Sequence, residues 1–320
     1  MLRRLRRAPS QWLRLTIGLG VGVAAGTLAL WDTRPENVWS ILQHASPWAV
    51  IVTFLLVALT QWIKVVRWQT IAGGRDELPA GLAWRALLVG QAINLLLPAR
   101  VGDVARVLLA GRRTNGGAIY TFYTVLVEKF WEVCMLLACL SLLLTYGPWP
   151  QLLSRWGIVF SLLSLAGLGA ILGAVWVGHR RPTRTTHCAW VNRFLVPTRH
   201  LGETLLATRR NGGLAKIAMY SAAVWLLGLL TNWTAFAALD VSVHWSASLL
   251  VLVAIYVGVV LPSPPGRVGL FHYAVKLALG AYGVPDSQAL ACGVLLHSIV
   301  IVPLLLAGGV AALVGQGAHG

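Results

Sequence analysis

The chain has 320 residues, of which 57% are hydrophobic and only 11% charged. Soluble domains carry about 25% charged residues, so this composition excludes an ordinary soluble globular fold. Mean hydropathy is +0.72 and the isoelectric point about 10.8. A net charge of +16 would suggest nucleic acid in a soluble protein. Here the basic residues are not interleaved with exposed aromatics, and no nucleic-acid partner is expected.

Most of the 26 basic residues lie in three segments, Arg3 to Arg14, Lys64 to Arg113 and Arg180 to Lys216. The positive-inside rule places all three on the cytoplasmic side. There they face anionic lipid head groups, at roughly 1 kcal/mol per charge. The basic start and the apolar run Leu15 to Leu30 read as an uncleaved signal anchor. Cys134, Cys139, Cys188 and Cys292 show no metal-ligand or redox spacing and read as small buried apolar residues. No metal or other cofactor is expected.

In chain order, a first span over 15–31 leads outward to a loop, 32–46, that carries Asp32 and Glu36. A second span, 47–66, returns to a cytoplasmic turn at 72–79. Apolar runs at 81–97 and 101–110 flank Pro98-Ala99-Arg100. Each is short of the roughly 20 residues that a crossing needs. Both outer ends are basic, which predicts a re-entrant hairpin opening to the cytoplasm. Non-helical backbone at such depth must line a cavity or be covered by protein. Spans at 117–146 and 157–178 follow, then an amphipathic segment at 191–210 suited to the cytoplasmic face. A span at 214–238 leads outward. Runs at 246–262 and 268–281 flank Pro262 to Arg267, which predicts a second hairpin, entered from outside. If 246–262 instead crosses fully, that second tip shifts. A last span covers 288–314.

The expected fold is an all-α polytopic membrane protein. It has about six full transmembrane helices and two re-entrant helical hairpins in an inverted repeat. The halves are about 15–178 and 214–314, joined by a cytoplasmic linker at 179–213. A bacterial plasma membrane with both termini cytoplasmic is the expected setting.

The chemistry concentrates at the repeat. Leu97-Pro98-Ala99-Arg100-Val101-Gly102 and Pro264-Pro265-Gly266-Arg267-Val268-Gly269 each put an arginine in the break of an apolar stretch. Intramembrane charge is costly and marks function. Paired broken segments in two halves point to a substrate site. Gly102 and Gly269 precede helices whose first N–H groups can face an anion beside the guanidinium, which suits a phosphate ester. Alternatively, each arginine pairs with an intramembrane acid, Asp103 for Arg100. Glu128 and Glu132 lie one turn apart beside Lys129. These three read as charge balance or proton coupling, or as an internal pair of Glu128 with Arg100 or Lys129. Val125 to Glu128 matches Val294 to His297. His297 and His272 are proton carriers or hydrogen-bonded structural residues. Gln91 and Asn94 bind head groups or glue helices together. Trp12, Trp48, Trp68, Trp149 and Trp245 read as an aromatic belt at span ends.

Asn94-Leu-Leu-Leu-Pro98-Ala-Arg100-Val-Gly102-Asp103, with Arg106, resembles the signature of the lysylphosphatidylglycerol synthase transmembrane (flippase-like) family. Leu261-Pro-Ser-Pro-Pro-Gly266-Arg267-Val-Gly269 resembles the motif of that family's second half. Glu128-Lys129 resembles its glutamate followed by a basic residue. The similarity covers about 15–314 and implies a lipid-handling membrane domain, with Asn94 and Arg106 among the substrate-binding residues. The family usually has glutamate where Asp103 stands and where Phe271-His272 stand. The second departure argues against an acid-dependent step there. No aminoacyl-transfer domain follows residue 320, so synthase activity is not expected. The implied function is alternating-access translocation of a phospholipid or polyprenyl-phosphate lipid. A membrane transferase using Glu128 or Asp103 as base, or a non-catalytic partner of a lipid- or glycan-modifying enzyme, are the alternatives. A homo-oligomer is also open.

Overall fold

The computed structural model describes residues 9–73, 77–97, 100–147, 159, 162–163, 166, 213–258 and 264–314. Among them there are helices and no strand. In chain order they are α1 (Pro9–Leu30), α2 (Pro35–Gln43), α3 (Pro47–Ile71), α4 (Ala80–Leu96), α5 (Val101–Gly111), α6 (Gly117–Tyr146), α7 (Gly213–Ala238), α8 (Trp245–Gly258), α9 (Leu270–Gly280) and α10 (Asp286–Val314). Most of the expected span at 157–178, and all of the amphipathic segment at 191–210, Cys188, Trp149, Pro98 and Ala99, lie outside the segments described.

Helices α3, α7 and α10, of 25, 26 and 29 residues, are long and apolar enough to cross a bilayer. The protein is a multi-pass membrane protein. α6 is longer still, at 30 residues, but carries Glu128, Lys129 and Glu132 in its middle.

The repeat positions hold shorter pieces. α4 has 17 residues and α5 has 11. α8 has 14 and α9 has 11. At a rise of about 1.5 Å per residue even α4 reaches only about 26 Å, against a hydrocarbon core of about 30 Å. The arm expected over 246–262 is described as far as Gly258; 259–263 lie outside the described residues.

Two expectations change. The loop expected at 32–46 contains α2. Pro35 opens that helix, where a missing N–H costs nothing, and Glu36 in the first turn complements the helix dipole. Val38 faces inward, whereas Trp39 is 63% exposed. Trp68, expected in the aromatic belt, is fully buried. Its indole Nε1 donates to Thr124 Oγ1 at 3.0 Å, and its ring lies under the Arg106 guanidinium, 3.6 Å away. A tryptophan with both its donor and its π face engaged gains nothing from the interface.

The chain forms two compact units, of which only the first draws on both ends of the sequence. The first comprises Met1–Val57, Leu88–Ala105 and Gly228–Gly320. Its core includes Phe236, Val251, Phe271, Leu279, Leu290 and Leu296. Within it α9 packs against α1, α8 and α10, and α2 against α10. The second comprises Ala58–Leu87 and Arg106–Leu227. Its core is built on Trp68, Leu78, Leu87, Val107 and Val125, with a smaller cluster of Ile71, Val127 and Ile217.

Candidate substrate site and buried ion network

The first hairpin is closed by Asn94, in the last turn of α4. Its Oδ1 accepts the Gly102 N–H at 2.8 Å. Its Nδ2 donates to Asp103 Oδ1 at 3.0 Å. One side-chain amide thus satisfies a free N–H at the start of α5 and a carboxylate one residue on, as an N-cap would. Gly102 is required by the close approach, since a Cβ there would overlap the Gly90 carbonyl and the Asn94 amide. Arg100, just outside this closure, is exposed and has φ 53.

The second hairpin is tied differently. Its loop holds Gly266, Arg267 and Gly269 at φ 71, 58 and 85. His297 of α10 donates through Nε2 to the Gly266 carbonyl at 2.8 Å. His272 accepts the Gly269 N–H through Nδ1 at 3.3 Å. A carbonyl can only accept and an amide N–H can only donate, so these contacts assign the tautomers. The two imidazoles lie 4.7 Å apart, ring centre to ring centre, and Phe271 meets His297 edge-on at 5.4 Å. Gly269 is also pressed against α1. A Cβ on it would overlap the Gly22 carbonyl, and one on Gly22 would overlap the Pro264 ring. The Gly18, Gly22, Gly26 spacing of α1 was the sequence signal for this approach.

Both hairpin arginines fall in the first unit. The charge of Arg100 acts on Arg267, as does the Tyr256 phenol. Among the described residues no carboxylate pairs with either arginine. Asp103, the candidate partner of Arg100, is instead engaged by Asn94.

The second unit holds the acids. Glu128 accepts from Arg106 at 2.6 Å on Oε2 and from Arg67 at 3.1 Å on Oε1. Glu132 accepts from the same Arg67 nitrogen at 3.2 Å and from Lys129 at 2.9 Å. Arg67 also reaches Ser221 Oγ on α7, at 3.4 Å. Arg67 and the Glu128 carboxylate are almost wholly buried. Glu128 therefore pairs with Arg106 and Arg67, rather than with Arg100 or Lys129. Arg106, expected with the substrate residues, lies between this carboxylate and the Trp68 ring and is 3% exposed.

Sequence reasoning missed two residues. Arg67 looked like a cytoplasmic boundary charge. Lys276, on α9, donates to the Ala29 and Trp31 carbonyls at 3.3 and 2.6 Å and to Thr33 Oγ1 at 3.1 Å, and pairs with Asp286 at 2.9 Å. It neutralises the free carbonyls that end α1. A lone lysine in an apolar eleven-residue helix was the available signal.

The helix–break–helix repeat, its arginines and the glutamate–lysine pair coincide with a family match. The region described as lysylphosphatidylglycerol synthase TM region matches residues 12–308. The chain belongs to that family. It is also 24% identical, over 328 aligned positions, to the glycosyltransferase AglD of Haloferax volcanii. That alignment covers 89% of this chain and 52% of the relative. The chain thus spans about half the length of the curated relative it matches. No solved structure matches it.

Proposed function

We propose that the protein is a lipid translocase that carries a phosphate-bearing lipid, a phospholipid or a polyprenyl-phosphate conjugate, by alternating access. The observation that carries this reading is the Arg100–Arg267 pair. The charge of Arg100 on one hairpin loop acts on Arg267 of the other, with no paired carboxylate among the described residues. Such a pair is unfavourable unless an anion joins it, and a phosphate offers oxygens to both guanidinium forks. Asn94, Gly102, Gly269, His272 and His297 hold the two loops in shape. Glu128, Lys129, Glu132 and Arg106 brace the helices and keep internal charge balanced.

The test is head-group translocation in liposomes. The purified chain is reconstituted with fluorescent phosphatidylglycerol or, separately, a short-chain polyprenyl-phosphate sugar. Wild type is expected to move at least one of them, and Arg100→Ala and Arg267→Ala to move neither. Full translocation by either folded variant would overturn the two-arginine site.

A second reading rests on the glycosyltransferase relative, about half of which this chain covers. In it the chain serves lipid-linked sugar transfer, as a transferase or as the membrane partner of one. Sugar transfer by the isolated protein, without translocation, would favour it.

A further inference from the structure

His297 uses one ring nitrogen and keeps the other open. Its Nε2–H donates to the Gly266 carbonyl at 2.8 Å, and among the described residues nothing bonds to Nδ1. The side chain is half-buried rather than sealed. A proton from water can join the Nδ1 lone pair without breaking any bond, because both nitrogens of an imidazolium donate and the grip on Gly266 is kept. His272 differs. Its Nδ1 accepts the Gly269 N–H at 3.3 Å, so a proton placed there would undo that bond. The two rings lie 4.7 Å apart, and His297 is the one that can change charge at no cost in hydrogen bonds.

The surroundings supply cations and no counter-ion. Arg267 follows Gly266 directly in the loop, and α9 carries Lys276 and Tyr273. Of the helices packed on α9, α1 has no ionisable residue from Thr16 to Leu30, α8 offers Tyr256, and α10 adds Cys292 and Asp286. The five acidic side chains of this unit are Asp32, Glu36, Asp103, Asp240 and Asp286. Asp103 is held by Asn94 and Asp286 by Lys276. Asp32, Glu36 and Asp240 are exposed, and none of the five bonds to either imidazole. An imidazolium here stands uncompensated until an anion arrives. The peptide that His297 grips is the one next to Arg267, so an anion docked at that guanidinium supplies the missing charge.

We infer that His297 binds a proton together with the anionic guest, so that the protein takes up H+ as a coupling ion when a phosphate group docks at Arg267. The inference rests on the hairpin anion site proposed above and adds its partner ion. Linkage is reciprocal: the guest binds more tightly as pH falls, and the proton binds more tightly once the guest is in place.

The test is binding of a short-chain phosphatidylglycerol and, separately, a short-chain polyprenyl-phosphate sugar to the full chain in detergent, from about pH 8 to about pH 5. Both probes are phosphodiesters and keep one charge across that range, so any pH dependence belongs to the protein. Affinity for at least one of them should rise about tenfold on acidification, the effect of one opposite charge nearby. His297→Gln keeps a side-chain N–H for the Gly266 carbonyl, and His272→Asn keeps an oxygen for the Gly269 N–H; neither replacement titrates. The rise should vanish in His297→Gln and persist in His272→Asn. Calorimetry of the wild type in two buffers of different ionisation enthalpy checks the same point without a variant, with proton uptake on binding as the expected result. Arg267-dependent binding that is flat with pH, or a rise that survives in His297→Gln, overturns the proton site and leaves the anion site standing. Binding of neither probe, or equal binding by Arg267→Ala, removes the anion site and this inference with it.

Discussion

Arg106 and Glu128 join α5 to α6 through a 2.6 Å hydrogen bond, and the second oxygen of the same carboxylate holds Arg67 of α3 at 3.1 Å. One glutamate thus fastens three helices. His297, the residue matched to Glu128 in the internal repeat, fastens the second hairpin through the Gly266 carbonyl. The two matched positions use different chemistry to grip their own hairpins.

Glu128→Gln should therefore be among the most destabilising conservative changes in the chain. It leaves two guanidinium groups buried against a neutral amide, a situation that costs about 3–5 kcal/mol. Glu132→Gln should cost less, because its side chain is 19% exposed and water can screen what remains. Thermal unfolding in one detergent checks the order. A Glu132 variant that melts below the Glu128 variant would show that the network is anchored elsewhere.

Asn94→Ala removes both bonds that close the first hairpin. The Gly102 N–H and the Asp103 carboxylate lose their partner, at about 1–3 kcal/mol. Hydrogen exchange at the Gly102 amide should rise while exchange in α10 stays unchanged. An unaltered Gly102 amide would mean that water or another group satisfies it.

Gly269→Ala meets two obstacles. The backbone has φ 85, where a side chain costs roughly 1–2 kcal/mol, and the new methyl runs into the Gly22 carbonyl. Folded yield and melting temperature should both fall. Gly309→Ala has open space for its methyl and should be neutral or slightly stabilising, which controls for helix propensity. Equal stability of the two variants would refute the close approach of α1 to the second hairpin.

Arg100 has φ 53, a conformation that glycine adopts at no steric cost. Arg100→Gly should be more stable than Arg100→Ala by about 1 kcal/mol, while both lose translocation. Strain kept at a residue that stability alone would replace is what a functional arginine predicts. Alanine matching glycine in melting temperature would remove the strain from the account.

The class of protein was legible without coordinates. Long apolar runs and scarce charge allow only a membrane solution, and helix ends follow where Gly and Pro interrupt those runs. The span expected at 117–146 is α6, Gly117–Tyr146, and the two broken pairs appear as α4–α5 and α8–α9. Family membership was equally legible, because the signature residues are local in sequence. The short helix α2 was missed, since nine residues between spans carry too little periodicity to stand out from a loop.

Partnership was not legible. Arg67 near the end of an apolar helix has the same local pattern as any cytoplasmic boundary arginine, and Trp68 the same pattern as a belt tryptophan. What separates them is Glu128, 61 residues away, and Thr124, 56 residues away. Sequence determined which segments enter the membrane, because transfer into lipid depends on composition summed along a segment. Tertiary structure alone decided which buried charges meet, because Coulomb and hydrogen-bond energies depend on distances in space that spacing along the chain does not encode.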